Sequence, residues 1–247
     1  MKLKLMTGCA LSLALISFNN YASETTMNTD IQNIEKATYI TLESKPEAAA
    51  KLEAFLQKGS QLVRQTEPGT PLWFGLRENN NFAIFDLFYN DLGREKHFAG
   101  QVANALKVNA PELVDGGWEQ GVVENINNFD VVATNHFNKE RVLQSKVANL
   151  ITFKAKSGKS QELELFLQDA AKSIDATEPG TYLWLALKMD KDTYAIFDSF
   201  QDQESQKAHF VGLVAEKLKA HASDLIAKGW DEGVVANIHS FQIIALS

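Results

Sequence analysis

The sequence contains one unit twice, and this duplication limits the possible folds more than any other feature. The segment TEPGTPLWFGL at residues 66–76 returns as TEPGTYLWLAL at residues 177–187, which is 111 residues later. The segment AIFD at 83–86 returns at 195–198, because the loop between the two segments is one residue longer in the second copy. Such a unit is far longer than a solenoid repeat. The sequence therefore predicts two domains of the same fold.

The predicted domain boundaries follow from the repeat. Domain 1 spans residues 39–133, and domain 2 spans residues 150–247. The polar residues 134–149 are interpreted as a connector, and residues 23–38 as a loose leader. With 247 residues and 45% hydrophobic side chains, the chain is long enough to bury a core in each domain.

Both units show the same order of predicted elements. A short alternating strand (39–43 and 150–154) precedes an amphipathic helix, two strands joined by a polar loop, a second helix (near 91–108 and 202–220) and a last strand. The order β-α-β-β-α-β is the split βαβ, ferredoxin-like arrangement. Its antiparallel sheet carries helices on one face only, so the other face needs cover. We expect an α+β chain whose two sheets cover each other within a pseudo-dimer.

Two local signals predict how the first helix of domain 1 begins and ends. Ser44 and Glu47 have the spacing of a capping box at a helix start. Pro68 and Gly69 occupy the two central positions of a type II turn, in which Gly69 would have a positive φ. Glu67 lies in this turn, as Glu178 does in the second copy. We expect these two carboxylates to accept hydrogen bonds from backbone N–H groups of the turns.

The first residues have the layout of a secretory signal. Lys2 and Lys4 precede an apolar run from Leu5 to Phe18, which is too short to span a bilayer comfortably. We expect residues 1–22 to be cleaved, which predicts a secreted or periplasmic protein without stable membrane insertion. The alternative, a lipoprotein anchored at Cys9, is disfavoured because only four residues separate Lys4 from that cysteine. Cleavage would also remove the single cysteine and leave no thiol for a disulfide or a metal.

Charge and motifs exclude several classes of partner. A formal net charge of −7 argues against nucleic acid and anionic membranes, because both repel such a surface. The sequence has no phosphate-binding glycine-rich loop and no nucleophile elbow. His136, His221 and His239 have no partner at metal-ligand spacing, so we predict no metal site. A small uncharged or cationic ligand stays possible.

Three motifs connect this sequence to a known family. The patterns TEPGTxxWxxLR, FAIFDxF and HFxGxVAxAL resemble those of the antibiotic biosynthesis monooxygenase family of dimeric α+β barrels. The resemblance covers nearly all of both halves. Members are usually single domains that pair, so the resemblance implies a fused pair with the fold of an intrachain dimeric α+β barrel. It also implies a site between the sheet and the second helix of each unit.

The resemblance covers several activities, of which the heme-degrading one fits poorly. That branch places an Asn at the start of the first strand and an iron-binding His after the second helix begins. Asn149 fits the first position in domain 2, whereas Thr38 stands there in domain 1. Lys107 and Lys219 occupy the position of the iron ligand, and an ammonium group does not bind iron. The sequence therefore disfavours heme degradation.

The oxygenase branch gives the candidate site residues. Its members bind an ionised phenol or quinol that reduces dioxygen itself, so the resemblance implies no metal, flavin or other cofactor. Imidazole transfers protons near neutral pH, tryptophan stacks on aromatic rings, and a carboxylate can orient a histidine or accept a hydroxyl proton. The candidate catalytic residues are His97, His209 and Asn149, and the candidate substrate-binding residues are Trp73, Trp184, Asp86 and Asp198.

Three functional hypotheses remain open at this point. The first is a cofactor-independent monooxygenase that acts on a small aromatic or quinol-type compound. The alternative is a non-catalytic protein that binds such a compound in the same apolar clefts. The third is a scaffold with degenerate sites that assembles further, as a possible homo-oligomer, through exposed sheet edges. If the same residues have only a structural role, we expect His97 and His209 to donate hydrogen bonds to carbonyl groups of the sheet, and Trp73 and Trp184 to fill the core.

Overall fold

The computed structural model describes residues 33–247, in which eight strands and seven helices are found. The predicted signal peptide lies outside these residues. The strands are β1 (Lys36–Glu43), β2 (Leu72–Glu78), β3 (Asn81–Phe88), β4 (Ile126–Thr134), β5 (Val147–Lys154), β6 (Thr181–Lys188), β7 (Thr193–Phe200) and β8 (Ile238–Leu246). The helices are α1 (Ala49–Thr66), α2 (Asp91–Phe98), α3 (Gln101–Leu113), α4 (Lys139–Val142), α5 (Ser160–Thr177), α6 (Gln203–Phe210) and α7 (Leu213–Leu225).

The eight strands form one closed barrel in the order β1-β3-β2-β8-β5-β7-β6-β4. Each half contributes four antiparallel strands in the ferredoxin-like order, β4-β1-β3-β2 in the first half and β8-β5-β7-β6 in the second. The pairs β2–β8 and β4–β6 join the halves. Closure leaves no strand edge of the barrel open to another chain. The predicted α+β fold, an intrachain dimeric barrel of two ferredoxin-like units, is confirmed.

The inside of the barrel is a packed apolar core shared by both halves. The Phe85 and Phe197 rings, one from each half, stack with their centroids 3.7 Å apart. Phe74 meets Phe197 edge-on at 5.2 Å between centroids. Because successive side chains of a strand point to opposite faces, Phe85 points into the barrel and Asp86 points outward to the helices. The barrel interior is therefore filled, and a site has to lie outside it.

A second layer of core lies between each half of the barrel and its own helices. In the first half, α1 buries Leu52, Leu56 and Val63 against the outward face of the sheet. The second half repeats this layer with α5 and α7. Within residues 33–247, no helix is long and apolar enough to cross a membrane.

The capping box predicted for α1 is wrong. The helix begins at Ala49 without a side-chain cap, and Glu47 adopts a left-handed φ of 65°. Ser44 instead donates its hydroxyl to the Asn80 carbonyl and forms a bridge with Val114. The backbone has to cross from the sheet to the helix layer between these residues, which leaves no room for a helix start at Ser44.

The type II turn predicted at Gly69 is also wrong, because Gly69 does not have a positive φ. Glycine is needed there for a close backbone approach. A Cβ added to Gly69 would stand 3.1 Å from the Cα of Gly93, at the start of α2. In the second half, a Cβ on Gly180 would stand 2.6 Å from the Ser205 Cβ. The repeated turn therefore packs tightly against the helix that carries the candidate histidine.

The second helix of each unit is broken into two, contrary to the prediction of one helix at 91–108. Helix α2 ends at Phe98, and α3 starts after Gly100. A Cβ on Gly100 would lie 2.6 Å from Glu67 Oε1, and one on Gly212 would lie 2.8 Å from Glu178 Oε1. The break therefore gives each glutamate side chain room to enter between the two helices.

Two strands begin inside segments that the sequence predicts to be irregular. Strand β1 starts at Lys36, within the predicted leader, because Lys36 pairs with Phe88 of β3. Strand β5 starts at Val147, within the predicted connector, because Val147 pairs with Phe200 of β7. Strand pairing therefore extends beyond the alternating apolar residues that mark the strands in the sequence.

Candidate functional site

The first half contains a buried row of three ionisable side chains, Glu67, His97 and Asp86, which we call the first row. His97 lies near the end of α2, Glu67 in the turn after α1, and Asp86 on β3. The His97 Nδ1 atom is 2.5 Å from Glu67 Oε2, and Nε2 is 3.3 Å from Asp86 Oδ2. The side chains of Glu67, His97 and Asp86 are 7%, 5% and 0% exposed. One imidazole therefore bridges two carboxylates inside the protein.

The second half repeats this arrangement with Glu178, His209 and Asp198, the second row. The His209 Nδ1 atom is 2.5 Å from Glu178 Oε2, and Nε2 is 3.2 Å from Asp198 Oδ2. Glu67 and Glu178 thus pair with histidines, and the expectation that they bind backbone N–H groups is wrong. The repeated TEPGT segment supplies one acid of each row. The recurrence of a Glu in the turn and a His thirty residues later is the signal that sequence reasoning missed.

Local structure holds the first row in place. The Asn90 side chain accepts a hydrogen bond from the Gly93 N–H and so starts α2 at a defined position. The His97 ring packs against Phe88, with 5.4 Å between centroids. Glu67 lies against Gly100 at the start of α3, where the positive end of a helix favours a carboxylate. The imidazole is therefore fixed by packing as well as by charge.

Electrostatics favour a protonated imidazole in both rows. Burial alone lowers the pKa of His97, but the carboxylates of Asp86 and Glu67 raise it to about 10. The same balance, with Asp198 and Glu178 as partners, raises the pKa of His209 to about 10. Both ring nitrogens then carry a proton directed at a carboxylate. A protonated histidine cannot serve as the first proton acceptor for a bound molecule, so the acceptor in the first row is Asp86.

A small cavity adjoins the first row, between the outward face of the sheet and helices α1 and α3. Its volume is about 30 Å³, which is room for one or two water molecules. The polar residues of its wall are Asp86 and His97, and the aromatic ones are Phe55, Trp73, Phe98 and Trp118. All thirteen wall residues have the same residue type at the equivalent position of the second half. The wall is therefore common to both units.

Polar groups without partners lie on this cavity wall. Among the described residues, the carboxylate oxygens of Asp86 have no hydrogen-bond donor besides His97, whose Nε2 lies 3.3 Å from Oδ2, and the Trp73 Nε1–H has no acceptor. The two residues are directly opposite each other in the register of β2 and β3. Burial raises the pKa of Asp86 above its ordinary value, although His97 lowers it. A buried donor and acceptor left unpaired cost about 1–3 kcal/mol each, which indicates a place for a polar molecule.

The second row differs at its inner acid. Asn149, which is fully buried on β5, donates its amide N–H to Asp198 Oδ1 at 2.8 Å. The Asn149 carbonyl oxygen accepts from Gln206 at 2.6 Å and from Ser240 at 2.9 Å. Asn149 therefore lies beside the predicted acid and histidine of its half. Trp184 also lies there, since it pairs with Asp198 across β6 and β7 and its Nε1–H has no acceptor among residues 33–247.

In the first half, Thr38 occupies the position equivalent to Asn149 and does not donate a hydrogen bond to the Asp86 carboxylate. Its hydroxyl donates to Asn128 Oδ1 at 2.7 Å, although Thr38 and Asp86 are partners in the register of β1 and β3. Asp86 is therefore without the amide donor that Asp198 has.

Each row also borders a surface groove outside the protein core. The groove of the first half has a volume of about 460 Å³ and is lined by the TEPGT turn, Lys96 and His97. That of the second half has about 380 Å³, with Ala208 in place of Lys96 and the turn repeated. His97 lines both the groove and the inner cavity. The row thus lies between a surface opening and a buried cavity.

The other histidines predicted to lack metal partners lie away from the rows. His136 pairs with Asp175 at 2.6 Å, and His239 with Glu78 at 3.0 Å, both in exposed positions. In the part of the chain that the structure describes, no group of three His, Cys, Asp or Glu residues is arranged to hold a metal ion.

Comparison with known proteins identifies the fold. No family model matches the sequence, and no curated protein matches it. A Fusobacterium nucleatum protein described as a candidate monooxygenase matches with a TM-score of 0.69 at 14% identity, over 87% of this chain and 94% of its own. A Lactobacillus acidophilus protein of the same description has a TM-score of 0.64 at 12% identity, over 87% and 95%. An anthrone oxidase-like protein has a TM-score of 0.55 at 12% identity, over 87% and 93%.

These matches extend over both halves at once, since each covers 87% of this chain. At such identities the likeness concerns the fold. The chain therefore has the fold of these proteins, a tandem α+β barrel. The resemblance to the antibiotic biosynthesis monooxygenases is confirmed at the level of the fold.

Proposed function

We propose that the protein is a cofactor-independent monooxygenase that acts on a small aromatic or quinol-type compound. The observation that carries the proposal is the pairing of Asp86 and Trp73 on the cavity wall. A buried carboxylate whose Oδ1 atom has no hydrogen-bond donor lines the same apolar cavity as an indole N–H without an acceptor. A phenolic hydroxyl satisfies both groups, because it donates to the carboxylate and accepts from the indole.

The chemistry needs only one proton transfer to the chain, which is later reversed. When Asp86 accepts the hydroxyl proton, the ring becomes an electron-rich phenolate that can reduce dioxygen directly. One oxygen atom then enters the substrate, and the other leaves as water with two electrons from the substrate and two protons, namely the one that Asp86 returns and a second one from the substrate. The apolar wall excludes water from the reacting atoms, and the four aromatic side chains favour a planar ring.

Entry of a ring requires the cavity to open. A volume of about 30 Å³ is too small for an aromatic molecule, so wall side chains have to move on binding. Phe55, Phe98 and Trp118 are only partly buried and lie at the helix side of the wall. We therefore expect binding to change tryptophan fluorescence.

One further point supports the proposal. The anthrone oxidase-like neighbour is named for anthrone, an aromatic compound. We also propose that residues 1–22 are a secretory signal that is removed, so that the protein acts in the periplasm or the medium.

Oxygen uptake tests the proposal. The purified protein is incubated with a panel of quinols and polycyclic phenols, and uptake is compared with that of the double variant Asp86→Asn/Asp198→Asn. Asp175→Asn is the matched control, because Asp175 also pairs with a histidine but in an exposed position. We expect uptake in the wild type and the control, with a loss of at least about 100-fold in the double variant. Equal uptake in all three proteins would refute the mechanism.

A second candidate function is binding without turnover. It is favoured by the rows themselves, since both nitrogens of each imidazole are directed at carboxylates and no free imidazole base faces the cavity. Quenching of tryptophan fluorescence by a quinol, with no oxygen uptake for any member of the panel, would select this function over the monooxygenase.

A further inference from the structure

We propose that the first row is a proton path that connects the surface groove with the buried cavity. This inference rests on the proposed function, because the proton that the row releases to the groove balances the one that Asp86 takes from the substrate. The path has three members, and each occupies a different depth. Glu67 lines the groove, His97 lines the groove and the cavity, and Asp86 lines the cavity.

The geometry of the imidazole fits a relay. Its Nδ1 atom faces Glu67 Oε2 on the groove side, and its Nε2 atom faces Asp86 Oδ2 on the cavity side. Asp86 is completely buried, and among residues 33–247 its ion-pair partner is His97. The histidine therefore links Asp86 to the groove.

The transfer conserves the charge of the row. At rest, two carboxylates flank an imidazolium ion, which gives the row a net charge of about −1. When the substrate hydroxyl gives its proton to Asp86, His97 releases its Nδ1 proton to Glu67, and Glu67 passes it to groove water. Asp86 and His97 are then neutral, Glu67 is ionised again, and the row has the same charge as before. The substrate O–H bond breaks as the carboxyl O–H of Asp86 forms, and the His97 Nδ1–H bond breaks as the released proton passes through Glu67 to an oxygen of groove water.

The surroundings favour release on the groove side. The other groups packed on the His97 ring are Phe88 and Phe98, which carry no charge. Lys96 lines the groove and is the charged side chain there besides Glu67 and His97, so its positive charge lies on the side where the proton leaves. The start of α3 beside Glu67 acts in the same direction.

The alternative role of the row is a static lock that holds α2 against the sheet. The two roles predict opposite effects of a substitution that removes the titratable acid but keeps its shape. In a relay, Glu67→Gln blocks the exit for the imidazole proton and slows its exchange with water. In a lock, the same substitution weakens the row and lets water reach the ring, so that exchange becomes faster.

The test measures exchange of the imidazole ring protons with water by NMR on protein labelled with ¹⁵N-histidine, without any ligand. We expect Glu67→Gln to slow exchange at His97 by at least about tenfold and to leave His209 unchanged. Glu178→Gln is the matched control, and it should slow exchange at His209 and leave exchange at His97 unchanged. Glu67→Asp keeps a titratable acid and should leave exchange at His97 within about threefold of the wild-type rate.

Exchange at His97 that is unchanged or faster in Glu67→Gln would overturn the relay, and so would equal slowing in Glu67→Asp. Because no substrate is present, this result is independent of oxygen uptake. If the exchange experiment refutes the relay, Asp86 can still be the proton acceptor in the proposed function. If the oxygen-uptake experiment refutes the proposed function, the exchange rates predicted for the relay are unchanged.

Discussion

The two halves of the barrel share the inner wall of the candidate site but differ in what surrounds its acid. All thirteen residues of the first cavity wall recur in the second half. The acid at the centre of that wall has its histidine as a close partner in both halves, but only in the second half does it also accept an amide hydrogen bond, from Asn149. The comparison teaches that the row and the apolar wall are the common unit, and that the reactivity of the acid is set by its neighbours.

The direction of this difference follows from hydrogen bonding. A donor to a carboxylate stabilises the ionised form and makes that carboxylate a weaker base. Asp198 has an amide donor of this kind at 2.8 Å, and Asp86 has no amide donor among the described residues. We therefore infer that the first half is the more reactive of the two sites.

The largest expected effect concerns what the halves share, which is the stability of the rows. His97→Ala and His209→Ala each leave two buried carboxylates without their positive partner. Loss of one partner of a buried ion pair costs about 3–5 kcal/mol, and the two rows have nearly the same distances. Urea unfolding should show this loss in both variants. A cost below about 1 kcal/mol in either one would show that its row is not an ion pair.

The next effect separates the halves by activity. Asp86→Asn should lower oxygen uptake by about 100-fold, because it removes the more basic acceptor. Asp198→Asn, the matched variant, should lower uptake by less than about tenfold, because Asp198 already accepts a hydrogen bond from Asn149 and so contributes less as a proton acceptor. Equal losses, or a larger loss in Asp198→Asn, would contradict the inferred difference in reactivity.

Alkaline pH should affect both rows equally. The folded pKa of His97 and of His209 is raised to about 10, above the ordinary value of 6.5. Their stabilisation is therefore fully present below pH 6.5 and is lost as pH rises through about 10. The free energy of unfolding should fall by up to about 1.4 kcal/mol per pH unit for each histidine. The same slope in His97→Gln/His209→Gln would exclude these histidines as its source.

The smallest expected effect comes from exchanging the residues next to the two aspartates, Thr38 beside Asp86 and Asn149 beside Asp198. In the Asp86→Asn background, Asn149→Thr should raise the remaining uptake about fivefold, because it removes the hydrogen bond of about 1 kcal/mol that Asn149 donates to Asp198. In the Asp198→Asn background, Thr38→Asn should lower uptake by a similar factor. Changes in the opposite directions would assign the difference between the halves to something other than this amide.

Much of the fold could be predicted from the sequence because it depends on short-range patterns and on the repeat. Alternation along the strands places Phe85 inside the barrel and Asp86 outside. The duplication then provides the second sheet that covers the first. The start of α1 and the role of Gly69 could not be predicted, since both depend on where the chain crosses between layers and on how closely Gly93 approaches.

The candidate site was predictable only in part. His97, Asp86 and Trp73 stand out in the sequence because they recur in unusual surroundings, and the structure brings them to one cavity. The pairing of Glu67 with His97 depends on the break between α2 and α3 at Gly100, which opens a space for the carboxylate. No local pattern signals that break, because a single glycine is compatible with a continuous helix.

Infrared difference spectroscopy of ligand binding tests most directly whether Asp86 takes the proton of the bound compound. A quinol from the panel is added without oxygen, and the C=O stretch of a newly protonated carboxylic acid is recorded for the wild type, Asp86→Asn and Asp198→Asn. We expect this band in the wild type and in Asp198→Asn, and its loss in Asp86→Asn. A band that persists in Asp86→Asn, or binding without any such band in the wild type, would contradict the assignment of Asp86 as the acceptor.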